Sequence, residues 1–180
     1  MHANVIDLNA TAVPDAAQLG LLSGHGNASA ALQASGFSPS ALLATLHGRL
    51  DVFLYDGSVA GFDLFRLKRA VQDQDPKTVG AAVSDALLNG VTGFDRLEIA
   101  TSISQNELML DTARLTGVTG AARANGTISL ADGTLDVRLA VQPDVPHAPE
   151  LGLRLTGPIE HPNRTPELSA LARWMAELAR

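Results

Sequence analysis

His2, His25, His47, His147 and His161 are the five histidines of the chain. No two stand three or four residues apart, the spacing that sets two imidazoles on one helical face to grip a metal. They read as solvated loop residues, and no metal or other cofactor is expected. A serine nucleophile needs the strained elbow G-x-S-x-G. Gly57-Ser58-Val59-Ala60-Gly61 places its serine one position early, between strands rather than before a helix. Gly24-His25-Gly26 lacks the strand before it and the helix behind it that a phosphate-cradling loop requires, so it reads as a hinge between elements. Asp51, Asp56, Asp63, Asp132 and Asp136 supply carboxylates of the type that work in acid–base pairs across a cleft. Each has a structural account instead: Asp56 and Asp132 in Asp-Gly turns, Asp63 as a helix cap, Asp51 and Asp136 on the polar faces of strands. The expectation is a protein that is not an enzyme.

The elements must then position something other than a catalytic centre. At 180 residues the chain has the length of one domain with a sizeable core. Only 4% of its residues are aromatic, so that core is expected to be aliphatic. The net charge is −6, and the basic residues are scattered among the acids, which excludes a phosphate-neutralising stripe and with it nucleic acid as a partner. There is no cysteine, hence no disulfide framework and no thiolate zinc site. No run approaches the roughly 18–20 apolar residues of a spanning helix, and the first residues lack the pattern of a signal peptide. Val5 to Thr11 already reads as a strand, which leads to the expectation that upstream sequence, with any export signal or anchor, is missing.

The dominant period is two. Leu50, Val52 and Leu54 alternate with Asp51, Phe53 and Tyr55; Leu97, Ile99, Thr101 and Ile103 with Glu98, Ala100 and Ser102; Leu135, Val137, Leu139 and Val141 with Asp136, Arg138 and Ala140; Leu151, Leu153 and Leu155 with Gly152 and Arg154. Weaker alternation marks 6–12, 28–34, 108–115 and 122–130. Turn signals fall at Asp56-Gly57, Gln105-Asn106, Thr116-Gly117 and Asp132-Gly133, while Asn125-Gly126, inside an alternating run, reads as a bulge. Strands at this spacing with few long connections predict an antiparallel meander. Helices are predicted after Ser38-Pro39, over 64–71 with Asp63 as cap, over 77–88 after Asp75-Pro76 and ending at Asn89-Gly90, and from Thr165 to Arg180 after an extended linker. The last helix carries Leu168, Leu171, Met175 and Leu178 on one side and is expected to pack across one end of the sheet.

The order of these signals resembles the carboxy-terminal region of the AsmA family. The run Leu54-Tyr55-Asp56-Gly57-Ser58-Val59-Ala60-Gly61-Phe62-Asp63-Leu64 is similar to that family's strand, Asp-Gly, short strand, Gly and Phe-Asp-Leu step into a helix. Downstream, Thr92-Gly93-Phe94-Asp95-Arg96-Leu97, Ser104-Gln105-Asn106-Glu107-Leu108, Asn125-Gly126 to Leu130, and Leu153 to Pro162 follow in the family's order, with Glu107 where glycine is commoner. The resemblance covers roughly 24–166. It divides the single domain into the end of an upstream β-region (1–23), the core of the resemblance (24–163) and a carboxy-terminal amphipathic helix (164–180).

The resemblance implies a mainly β fold with helices: a curved antiparallel sheet, taco-like, with three to four short helices packed on it or capping it. It further implies a periplasmic protein, held in the inner membrane by an amino-terminal anchor and related to TamB-type proteins. Such a protein acts in outer-membrane homeostasis, with phospholipid or another acyl-chain lipid carried along an apolar β-groove. A scaffold that docks outer-membrane assembly proteins through a sheet edge is the second reading, and a hydrolase with an unadvertised polar pocket the third. Leu50, Val52, Leu54, Leu97, Ile99, Val137, Leu139, Leu153 and Leu155 are the residues expected to meet lipid in the groove. They serve equally well as an ordinary core beneath the helices, which must bury their own apolar faces somewhere.

Overall fold

The computed structural model describes residues 2–4, 20–73 and 75–178. The expected strand over 6–12 lies outside them. Among the described residues nine strands form one open antiparallel sheet in strict sequence order: β1 (His2–Asn4), β2 (Gly20–Gln33), β3 (His47–Ala60), β4 (Val91–Ser104), β5 (Glu107–Gly117), β6 (Gly120–Ser129), β7 (Thr134–Pro143), β8 (Leu151–Pro158) and β9 (Asn163–Glu167). Four helices accompany it: α1 (Pro39–Thr45), α2 (Leu64–Asp73), α3 (Val79–Leu88) and α4 (Ser169–Leu178). The expected fold class, a mainly β curved antiparallel sheet with short helices, is the one observed.

Register turns the alternation into two chemically different faces. One transverse row runs Leu54–Leu97–Leu115–Ala122–Val141–Leu151 across six strands, and the aliphatic positions on either side continue this inner face. The opposite face carries ion pairs: Arg154 to Asp136 at 2.7 Å, Arg138 to Glu167 at 2.7 Å, Arg49 to Asp111 at 3.7 Å, and Arg123 to Glu150. A charged outer face keeps that side in water, while the inner face is left to bury itself or something else.

The helices form where side chains replace the amide partners that a first turn lacks. Ser38 is extended and its Oγ accepts from the Ala41 amide at 3.2 Å, with Pro39 opening α1. Asp63 Oδ1 accepts from the Arg66 amide at 2.9 Å, the expected cap of α2. Asp75 takes the Lys77 amide and the Thr78 hydroxyl, each at 3.0 Å, and this turn delays α3 to Val79, two residues later than expected. Asn89 ends it by returning its amide to the Asp85 carbonyl.

The α2–α3 unit leaves the sheet after β3 and folds back over the inner face, α2 against β7 and β4, α3 against β9. Leu64, Leu67 and Val71 of α2 and Val83, Ala86 and Leu87 of α3 are fully covered. Each large aliphatic among them contributes about 1.5–3 kcal/mol as an upper bound, so Leu67→Asp would detach α2. The core joins these residues to Leu115 of β5, Val137, Leu139 and Val141 of β7, Leu151, Leu153 and Leu155 of β8, and Leu171 of α4. Lys68 fastens α2 to the β7–β8 loop through Asp144 at 2.8 Å.

Several local expectations change. Asp56-Gly57 is not a turn: β3 continues through it, with Asp56 in the left-handed region at φ 48° and one extra β3 residue between the pairs His25↔Tyr55 and Ser23↔Ser58. It is a bulge, which Asp-Gly serves as readily as a turn because both need a positive φ. Gly24-His25-Gly26 is no hinge but the interior of β2, where a Cβ on Gly26 would lie 1.9 Å from the Phe53 carbonyl oxygen. The turn expected at Thr116-Gly117 falls at Val118-Thr119. Asn125-Gly126 pairs with β7 without interruption; the extra residue is Asp111 on the neighbouring β5, between Ala100↔Thr112 and Thr101↔Leu110. The linker and helix start expected around 158–168 are replaced by β9, which pairs with β8 from Asn163 to Glu167, so the helix begins at Ser169. Pro166 is tolerated there because β9 borders the sheet. Residues 20–23, expected to belong to an upstream unit, open β2. α1, expected to bury an apolar face, buries none.

Candidate functional site

The nine aliphatic residues expected to line a groove do not share one environment. Leu54, Val137, Leu139, Leu153 and Leu155 are core residues, none more than 7% exposed. Val52 and Leu97 pack on the margin of that core. Leu50 and Ile99 stand on the same face, partly exposed and outside the core cluster. The face is therefore divided. Under α2 and α3 it is an ordinary interior that includes Leu54 of β3, Phe94 of β4 and Leu115 of β5, and around Leu50 of β3 and Ile99 of β4 it is partly exposed.

Register explains the division. The β3–β4 connection carries α2 and α3 out from one end of the sheet and back over it. The connections at the other end are α1, the Gln105-Asn106 turn, the turn at 130–133 and the loop at 159–162. Burial is therefore deepest under α2 and α3 and lapses at Leu50 and Ile99, while beyond Ile99 on the same face Thr101 and Ile103 are again buried. At the boundary lies an open, mainly apolar pocket of about 250 Å³ lined by Leu21, Val59, Phe62, Leu97, Ile99 and Leu139, with Arg114 and Arg123 also in its wall. The pocket is open to solvent, and its apolar lining favours apolar guests. Each methylene moved into it from water contributes about 0.8 kcal/mol. Leu21, Val59, Phe62 and Ala122 were not singled out from the sequence; Ala122 continues the Leu54–Leu97–Leu115 row, a signal available only once strands are aligned.

Polar residues sit where they hold elements. Thr92, buried, donates its hydroxyl to the Phe62 carbonyl at 2.8 Å and accepts from the Leu64 amide at 3.1 Å, which fixes the Phe62 step at the cavity wall. Asp63 caps α2, and Asp132 accepts from the Ser129 hydroxyl at 2.8 Å in its turn. Asp136 is paired with Arg154, and Asp56 lies 3.7 Å from His25 on the exposed surface. Asp51 pairs across the sheet with Ser29 and Ala100. Asp85, joined to Arg66 and to the Asn89 amide group, is held below the usual carboxylate range chiefly by its hydrogen bonds from Arg66 and Asn89. His25 and His47 lie in strands rather than loops, and among the described residues no group of three His, Cys, Asp or Glu is placed to hold a metal ion. No helix among them is long and apolar enough to cross a membrane.

Comparison of the chain with protein-family models, with curated proteins and with solved structures finds no match.

Proposed function

We propose that the chain is a non-enzymatic lipid-carrying module, of the AsmA type its motif order resembles. It shelters the acyl chain of a phospholipid against the partly exposed inner face around Leu50 and Ile99 and in the pocket beside them. The observation that carries this reading is the unequal burial of one continuous apolar face: Leu139 and Leu153 belong to the core, while Leu50 and Ile99 on the same face are partly exposed and lie outside it. A protein that needed only a core would have no use for the uncovered half, since exposed aliphatic surface forfeits its burial energy. Ion pairs on the outer face fit a module that stands in water with its lipid turned inward. In this reading the protein works in the periplasm, in outer-membrane homeostasis, held at the inner membrane.

The test is lipid extraction and mass spectrometry of protein purified from bacterial cells without detergent. Stoichiometric phospholipid is expected, and Leu50→Asp and Ile99→Asp are expected to release it while the protein stays folded, because neither side chain belongs to the core. Lipid-free, folded wild-type protein overturns the reading.

A further inference from the structure

The β2–β3 connection lies at the end of the sheet opposite the β3–β4 connection that carries α2 and α3. Phe37 is fully exposed, and Leu42 and Leu43 of α1 are 43% and 45% exposed. No residue of α1 is buried. Residues 16–48 contain no Asp, Glu, Lys or Arg, in a chain that is 18% charged. The tip nevertheless pairs part of its own backbone. The Ser35 amide donates to Thr45 Oγ at 2.9 Å, and the Thr45 hydroxyl donates to the Ser35 carbonyl at 2.7 Å. The Leu42 amide donates to the Ser38 carbonyl at 2.9 Å and the Ala41 amide to Ser38 Oγ. The Leu46 amide closes on Leu43 at 3.2 Å.

We infer that this tip, Ser35 to Leu46, is a membrane-contacting element: Phe37, Leu42 and Leu43 enter the boundary between headgroups and acyl chains of a phospholipid bilayer. Three properties argue for a lipid surface. A segment that lies at the headgroup boundary is favoured by the absence of charge and by internal pairing of the backbone in its helical part, and the composition of the tip and the bonds of α1 supply these. The tip is convex, a shape a fluid bilayer accepts without a preformed pocket. It also stands at the end of the sheet nearer to Leu50, so a chain held at Leu50 and Ile99 lies close to the bilayer; this last point rests on the lipid-carrying reading, and the first two do not. The opposite end of the sheet also exposes Phe65, Val91 and Val118, but Asp56 and Asp95 sit among them and would have to be desolvated.

The test is flotation of the whole chain with vesicles of zwitterionic phosphatidylcholine, together with fluorescence of a Phe37→Trp variant in a Trp174→Phe background. The wild type is expected to float, at a level unchanged by added salt because the tip carries no charge. Emission of the introduced tryptophan is expected to shift to the blue on mixing with vesicles. Replacing Phe37, Leu42 and Leu43 together by serine is expected to lower the partition coefficient by about tenfold or more with thermal unfolding unchanged. Absence of wild-type flotation, or flotation of the triple variant equal to wild type, overturns the inference. The groove variant Ile99→Asp separates the two readings. If it floats as wild type does, the tip inference stands whether or not extraction finds lipid; if it alone abolishes flotation, contact runs through the groove and the tip inference fails.

Discussion

Arg164 Nη1 donates to the Leu88 carbonyl oxygen at 2.8 Å. The same guanidinium reaches the carbonyls of Leu87 at 3.2 Å and of Gly61. One side chain on β9 thus caps the final turn of α3 and holds the exit of β3, so the border strand, the covering helix and the strand that launches the helices are joined at one point. A cation at a helix C-terminus meets the negative end of the peptide dipoles. Burial lowers the pKa of this guanidinium from its ordinary value.

Arg164→Ala is therefore expected to cost about 2 kcal/mol, the magnitude of hydrogen bonds from a charged donor to partly buried acceptors. Urea unfolding measures the loss. Amide hydrogen exchange should locate it, with faster exchange in α3 than in β5 and β6. Uniform acceleration over the whole sheet would contradict the local role.

Two aspartate substitutions on one face should behave oppositely. Leu153→Asp puts a carboxyl into the covered interior and is expected to cost about 4 kcal/mol or more, seen as loss of the cooperative thermal transition. Ile99→Asp, partly exposed, is expected to cost no more than about 1–2 kcal/mol. Equal damage would mean that the uncovered half is as buried in solution as the covered half.

Asp85 gives the pair of helices a pH dependence whose sign follows from its lowered pKa. The folded state binds this proton less tightly than the unfolded state. The stabilisation it supplies is therefore complete above the ordinary aspartate pKa of about 3.8 and is lost as pH falls through the lower folded value. Asp85→Asn should lower the urea midpoint at pH 7, and the gap from wild type should close as the solution is made strongly acidic. A gap independent of pH would remove the carboxylate from the account.

Gly126 and Gly133 separate lack of space from backbone conformation. At Gly126, φ is 144° and a Cβ would lie 2.2 Å from the Asp136 carbonyl oxygen; at Gly133, φ is 62° and nothing lies within 4 Å. Gly126→Ala is expected to cost about 2–3 kcal/mol and Gly133→Ala about 1 kcal/mol, both read from denaturant midpoints.

What the sequence disclosed and what it withheld have physical reasons. Strands built on Leu50, Ile99, Val137 and Leu153 were legible because one face of each meets oil and the other water, which imprints period two. The cap at Asp63 was legible because its partner, the Arg66 amide, lies three residues away. β9 was hidden: five residues containing Pro166 give no alternation, and Thr165-Pro166-Glu167 imitates a helix start. The bulge at Asp56 was hidden because Asp-Gly announces a positive φ and not what the chain does next. Nothing local distinguishes Ile99 from Leu153, since both alternate perfectly and only the path of α2 and α3 decides which is covered. Arg164 gave no signal because its acceptors at 61, 87 and 88 are distant in sequence.

Strict sequence order across the sheet fixes how the molecule yields under tension. Each strand from β2 onward is joined to the next at one end, so a pull on the two outermost strands opens their hydrogen bonds one pair at a time, as a zipper opens, instead of shearing a whole ladder at once. The exception is the region spanned by α2 and α3, where Arg164, Lys68 and the shared aliphatic interior cross several strands. The uncovered sheet should therefore peel gradually and the helix-clamped portion give way last and abruptly, which makes one protein compliant at one border and stiff at the other.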